Sequence, residues 1–103
     1  MATSRRKFEY HPDAIADAKE AIAWYAERNP EAAEKFKSEL RHAEDQVTMM
    51  PELYQQFMFG TKRCLLATFP FSLVFVERGD KIYGLAVAHS SRKPGYWKQH
   101  TRY

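Results

Sequence analysis

The sequence is poor in the residues that build covalent and metal staples. Its one cysteine, Cys64, excludes an internal disulfide and a thiolate metal cluster. The four histidines, His11, His42, His89 and His100, show no metal-ligand spacing. No HExxH, CxxC, Gly-x-Ser-x-Gly or Gly-rich phosphate loop is present, so neither a metal nor a cofactor is expected. No apolar run approaches the ~18 residues that cross a bilayer. Met1 to Lys7 begins positively but lacks the apolar stretch of a signal peptide. The expectation is one cytoplasmic domain over residues 1–103, with tails at 1–6 and 98–103.

Acidic residues are also scarce in one half. Residues 60–103 hold eight Lys/Arg against only Glu77 and Asp80, a net +6, whereas residues 1–59 hold eight Lys/Arg against eleven Asp/Glu, a net −3. Like charge gathered in one half points to an anionic partner, a nucleic acid or an acidic protein segment. The plainer reading is a basic half that serves solubility.

What is present is strong periodicity. Phe8-Glu9-Tyr10-His11 alternates as a short strand does. Pro12 and Asp13 open a helix that runs to about Arg28, with Ile15, Ala18, Ile22 and Tyr25 as its buried stripe and Trp24 flanking it. Asn29-Pro30-Glu31 supplies a cap, a first helical proline and an acid at the positive helix end. The second helix carries Ala33, Phe36, Leu40, Ala43, Val47 and Met50 as a seam and ends at Pro51. So short a link folds the two helices into an antiparallel hairpin. Residues 51–61 read as a loop whose aromatics tuck against the core.

Three strands follow: Lys62 to Phe69, Phe71 to Arg78 and Lys81 to His89. Gly79-Asp80 makes a two-residue hairpin turn between the last two. Leu73 and Phe75 face one side and Val74 and Val76 the other, so either both faces are covered or a partner covers one. The order β-α-α-β-β-β predicts an α+β fold, a helical hairpin on a small antiparallel sheet, with the N-terminal strand added at an edge.

The densest polar cluster follows the last strand, in Leu85-Ala86-Val87-Ala88-His89-Ser90-Ser91-Arg92-Lys93-Pro94-Gly95-Tyr96-Trp97. His89 is either an acid–base group or a strand-end histidine that orients the next loop. Arg92 and Lys93 are either phosphate ligands or exposed loop charges. Tyr96 is a candidate for proton transfer, and Tyr96 with Trp97 for stacking on bases; alternatively Trp97 packs back over the sheet. Lys62 and Arg63 lie two strands away if the strands pair in hairpin order. Convergence of Lys62, Arg63 and Arg92 would make an anion site.

With these residues in order, the chain resembles the RelE/ParE superfamily of bacterial toxin–antitoxin toxins, from about Tyr10 to Trp97. The resemblance rests on Ala23-Trp24-Tyr25, Ala33 with Phe36, Pro51, Lys62-Arg63, Phe69-Pro70-Phe71, and above all the run from Ala86 to Trp97. It implies a small cytoplasmic toxin neutralised by an antitoxin that masks its basic face. It also implies one of two activities. In the first, mRNA is cleaved on the ribosome without a metal. Arg63 and Arg92 then stabilise the phosphate, and Tyr96 or His89 moves the proton. Lys62, Lys93, Trp97 and Lys98 bind RNA or another target. In the second, the toxin poisons DNA gyrase by protein–protein contact and needs no catalytic residue. An inactive member that only binds the antitoxin is a further alternative. Two departures from the RNA-cleaving pattern stand out. Phe71 to Val76 carries no Lys or Arg, and Lys98-Gln99-His100 stands where the family has a closing Arg.

Overall fold

The computed structural model describes residues 6–92 and 95–97. Its elements are β1 (Lys7–Tyr10), α1 (Pro12–Arg28), α2 (Pro30–Met49), β2 (Lys62–Leu65), β3 (Phe71–Arg78) and β4 (Lys81–His89), with two 3₁₀ turns, Pro51–Leu53 and Met58–Gly60, before β2. The helical hairpin packs on one face of the sheet, as the periodicity predicts. The tails expected at 1–6 and 98–103 lie outside the described residues, except for Arg6.

The helix ends follow from the capping residues. His11 stands outside β1 and caps α1, its Nδ1 accepting from the Asp13 N–H at 3.0 Å. Asn29 alone separates the helices. Its Oδ1 accepts from the N–H groups of Glu31 and Ala32, while its own N–H closes α1 on the Tyr25 carbonyl. The α1 stripe is turned from the expected one. Ala14, Ala18 and Ala21 are buried, Ile22 and Tyr25 are partly buried, and Ile15 is 41% exposed. Small side chains let α1 lie close to its neighbours, which a stripe built on Ile15 does not allow. The α2 seam is buried from Ala33 to Val47, and Met50 falls just past the helix, exposed.

The sheet order is β1-β4-β3-β2, and β1 runs parallel to β4. The sheet is therefore mixed, not antiparallel throughout. Two helices intervene between β1 and the hairpin strands, and a connection of that length lets a strand return parallel. β2 ends at Leu65, short of Phe69, because the chain turns back there. Glu39 of α2 accepts from both the backbone N–H and the hydroxyl of Thr68, so that loop is tied to a helix instead of a strand.

A bulge in β4 decides what faces where. Val74 pairs with Ala86 and Phe75 with Gly84, leaving Leu85 as the extra residue. Leu85 and Ala86 thus both join the far-side cluster, while Ile82 and Val87 face the helices. Gly84 is a packing requirement, since a Cβ there would lie 2.6 Å from the Tyr10 ring. The helix-side core includes Phe36, Leu40, Val47, Leu73, Phe75 and Ile82. The far side, holding Val74, Val76, Leu85, Ala86 and Ala88, is covered by the chain's own Trp97, Phe57, Tyr83 and Tyr96. Tyr54 and Phe57 of the preceding loop tuck against the two cores, whereas Phe59 stays exposed.

Candidate functional site

β1 covers the edge of β4 only as far as Gly84, whose carbonyl accepts from the His11 N–H at 2.8 Å. Beyond that point α1 lies along the strand, and one of its carboxylates does the work of a missing neighbour. Asp17 Oδ2 accepts from the Val87 backbone N–H at 3.1 Å and from the Tyr96 hydroxyl at 2.8 Å. Its Oδ1 faces Arg92 Nη1 at 3.5 Å, and the Arg92 guanidinium lies 3.7 Å from the centre of the Tyr96 ring. The Asp17 side chain is only 13% exposed. A carboxylate so placed is held by three donors, and together they repay its desolvation.

This arrangement sets the chemistry of the three predicted groups. Burial, and then the hydrogen bond to Asp17, hold the Tyr96 phenol well above its ordinary pKa, with Arg92 pulling the other way. Tyr96 is therefore a hydrogen-bond donor to Asp17 at neutral pH. Arg92 is paired with Asp17. His89 Nδ1 accepts from the Ser91 N–H at 3.0 Å and contacts the Ser91 hydroxyl at 2.8 Å, with the ring edge-on to Phe71. A cleft of about 340 Å³ opens between α1 and the end of β4, lined by Glu20, Trp24, Tyr25, Phe71, His89 and Arg92.

Arg63 and Lys62 stand elsewhere. β2 is the opposite edge of the sheet, two strand spacings or about 10 Å from β4. Neighbouring residues of a strand point to opposite faces, and Lys62 and Arg63 follow that rule. Lys62 shares the register of Phe75 on the helix side. Its Nζ pairs with Glu77 at 2.9 Å and donates to the Pro51 carbonyl. Arg63 shares the register of Val74 on the far face, 4.3 Å above the Phe57 ring, which stacks in turn on Trp97. Strand alternation sends Lys62 and Arg63 to opposite faces, so the three do not converge; Arg63 and Arg92 sit at the two ends of a run of ring contacts through Phe57, Trp97 and Tyr96. Of the two readings of Trp97, its place is the packed one: it is 2% exposed and lies back over the sheet, stacked on Phe57. Lys93 and Lys98 lie outside the described residues.

The residue that organises the β4 edge, Asp17, escaped the sequence reading. Its signal was an acid lodged between Ala14, Ala18 and Ala21 on the inward side of α1, where a purely solvated carboxylate does not belong. Among the described residues, no three His, Cys, Asp or Glu side chains group to hold a metal ion, and no helix is long and apolar enough to cross a membrane.

A family described as the ParE toxin of the type II toxin–antitoxin system, parDE, matches residues 8–94. No curated protein matches the sequence. Among solved structures, a chain of the chromosomal ParDE TA system from P. aeruginosa is similar in fold, with a TM-score of 0.70 at 18% identity, over 82% of this chain and 96% of that one.

Proposed function

The chain belongs to the ParE toxin family of type II toxin–antitoxin systems, and from that premise we propose that it arrests growth by protein–protein contact with its target, not by cutting RNA. Family membership brings with it a cognate antitoxin as partner. The target in this reading is DNA gyrase, which the resemblance to ParE-like toxins implies.

One observation carries the reading. The side chains that the RNA-cleaving reading assigns are split: Arg63 stands apart from His89, Arg92 and Tyr96. Arg63 is on the far face of the β2 edge, while His89 and Arg92 flank the cleft at the β4 edge. Stabilising a phosphorane requires cations preorganised within hydrogen-bond reach of one phosphate. Proton transfer requires a group whose pKa lies near the working pH. Here the phenol of Tyr96 is raised and bound to Asp17. A toxin that works by contact needs none of these groups.

The test uses purified toxin, released from its antitoxin, in two assays. With gyrase, supercoiling falls and cleaved DNA accumulates. With programmed ribosomes, the mRNA stays intact. Unaffected gyrase together with cut mRNA overturns the reading in favour of the ribonuclease. No effect in either assay, with growth unimpaired on expression, leaves an inactive antitoxin-binding member.

A further inference from the structure

The cleft between α1 and the end of β4 holds more than the Asp17 cluster needs. One of its walls is Trp24, which is 52% exposed. An indole left half in water is worth a reason, and tryptophan is among the residues that most often anchor protein interfaces. This one is also held still. Its ring meets Tyr25 edge-on, 5.1 Å between centroids, and the Arg28 guanidinium lies 3.9 Å from its centroid. Arg28 is fixed in turn by donating to the Trp24 carbonyl at 2.9 Å. A side chain ordered before contact loses little entropy on binding.

The charges around the cleft pair off with one left over. Asp17 faces Arg92, and Arg28 faces Glu27 at 3.6 Å. Glu20 lies one turn before Trp24 on the same face of α1 and lines the cleft, with no ion-pair partner among the described residues. Its charge reaches inward: burial and Asp17 raise the Tyr96 phenol first, and Glu20 adds to them. With Asp17 and Glu20 against Arg92, the cleft is net negative in a chain whose formal charge is +3. The rest of its lining includes Ala21, Tyr25, Phe71 and Val87, which supply an apolar floor.

These features limit the occupant. At about 340 Å³ the cleft is at the small end of ligand pockets, with room for one long side chain. A phosphate or an acidic side chain is repelled by Glu20 and finds Arg92 already on Asp17. A purely apolar side chain gains nothing from Glu20. An arginine or lysine uses both parts of the cleft, its cation on Glu20 and its apolar stem along Trp24 and Phe71. Trp24 already carries Arg28 over its ring, so the carboxylate, not the indole, is the seat of the incoming charge. A partner drawn to the basic half of the chain would carry acids, which this cleft turns away. Of the antitoxin and the target, the target is therefore the partner that the cleft suits.

We infer that this cleft receives one basic side chain of the target protein, held by Glu20 against Trp24. The inference deepens the contact reading proposed above and rests on it. It is tested with purified toxin, released from its antitoxin, by the concentration that half-inhibits gyrase supercoiling. Trp24→Ala and Glu20→Lys each raise that concentration by about 30-fold, and Glu20→Gln by about fivefold. Added salt weakens the wild type more than Glu20→Gln, because only the wild type keeps the ion pair. Glu20 and Trp24 are exposed, so the variants keep the wild-type far-UV spectrum and cooperative unfolding. Wild-type toxin that spares gyrase brings down the contact reading and this inference with it. Wild-type toxin that inhibits gyrase, with Glu20→Lys and Trp24→Ala within twofold of it, overturns this inference alone. Equal losses in Glu20→Gln and Glu20→Lys overturn the cationic occupant. Full gyrase inhibition by variants that no longer bind antitoxin overturns the inference by making the cleft an antitoxin seat. Altered self-association with inhibition intact does so by seating a second copy there.

Discussion

The two edges of the sheet put the same kind of residue to different use. At the β4 edge, Arg92 is paired with Asp17, Tyr96 donates to the same carboxylate, and His89 accepts from Ser91. At the β2 edge, Arg63 rests on an aromatic ring with apolar side chains exposed around it. The first edge had to close itself, because β1 ends at Tyr10 and leaves the Val87 N–H without a strand partner. An unpaired buried N–H costs ~1–3 kcal/mol, which is the physical reason for a carboxylate at position 17. Among the described residues, the second edge has no such carboxylate closure; its outer side meets the isolated bridge of Lys62 with Gln56.

The comparison breaks most visibly at Asp17. Asp17→Ala strands the Val87 N–H, the Tyr96 hydroxyl and Arg92 together, and is expected to destabilise the protein by about 2–4 kcal/mol. For a domain of this size that corresponds to a Tm lower by roughly 10–20 °C in thermal unfolding. A loss under about 1 kcal/mol would mean the β4 edge is not closed by this carboxylate. Tyr96→Phe removes one hydrogen bond while keeping the ring under Arg92, and should lower stability by about 1 kcal/mol with toxicity retained. Growth arrest on induction is the readout, and a folded but harmless Tyr96→Phe would return the phenol to catalysis. Arg92→Ala should change stability by no more than about 0.5 kcal/mol in urea unfolding, since that side chain is half exposed and its ion pair is screened by solvent.

The last expectation concerns direction only, at the strand that leaves the β4 edge open. β1 is tied to α2 by the Tyr10 hydroxyl donating to Glu44. Burial raises the Glu44 pKa, with the Tyr10 hydrogen bond acting against it. The folded state therefore holds the Glu44 proton more tightly than the unfolded chain does. That contribution is fully present below the ordinary carboxylate pKa and is lost as pH rises through the raised one. Chemical denaturation of wild type and Glu44→Gln across mildly acidic pH should show the wild type losing stability relative to the variant as pH rises. A difference that does not vary with pH would contradict this.

Much of the fold was legible. Asn29-Pro30-Glu31 marks the break between the helices, the seam from Ala33 to Val47 packs as its spacing requires, and Gly79-Asp80 turns the last hairpin. The parallel pairing of β1 was not legible, because alternation in Phe8-Glu9-Tyr10 marks a strand without giving its partner or direction. The bulge at Leu85 was hidden for a related reason: an all-apolar run carries no alternation to interrupt. The site was legible as a list of residues and not as a place. Arg92 and Tyr96 do come together, but around Asp17, a residue more than seventy positions earlier that only tertiary structure delivers, and His89 lines the same cleft with partners of its own. Lys62 and Arg63, adjacent in sequence, are separated because a strand sends neighbours to opposite faces.

The account stands or falls on whether the β4-edge cluster is scaffold in a toxin that works by contact. The most direct measurement is induction of a His89→Ala, Tyr96→Phe double variant in cells lacking the antitoxin. Pulse-labelled protein synthesis and double-strand DNA breaks are followed in the same culture. The account predicts growth arrest with DNA breaks while translation continues at first, as in wild type. Loss of growth arrest in a double variant that still unfolds cooperatively, with wild-type expression halting translation before any DNA break appears, would contradict it.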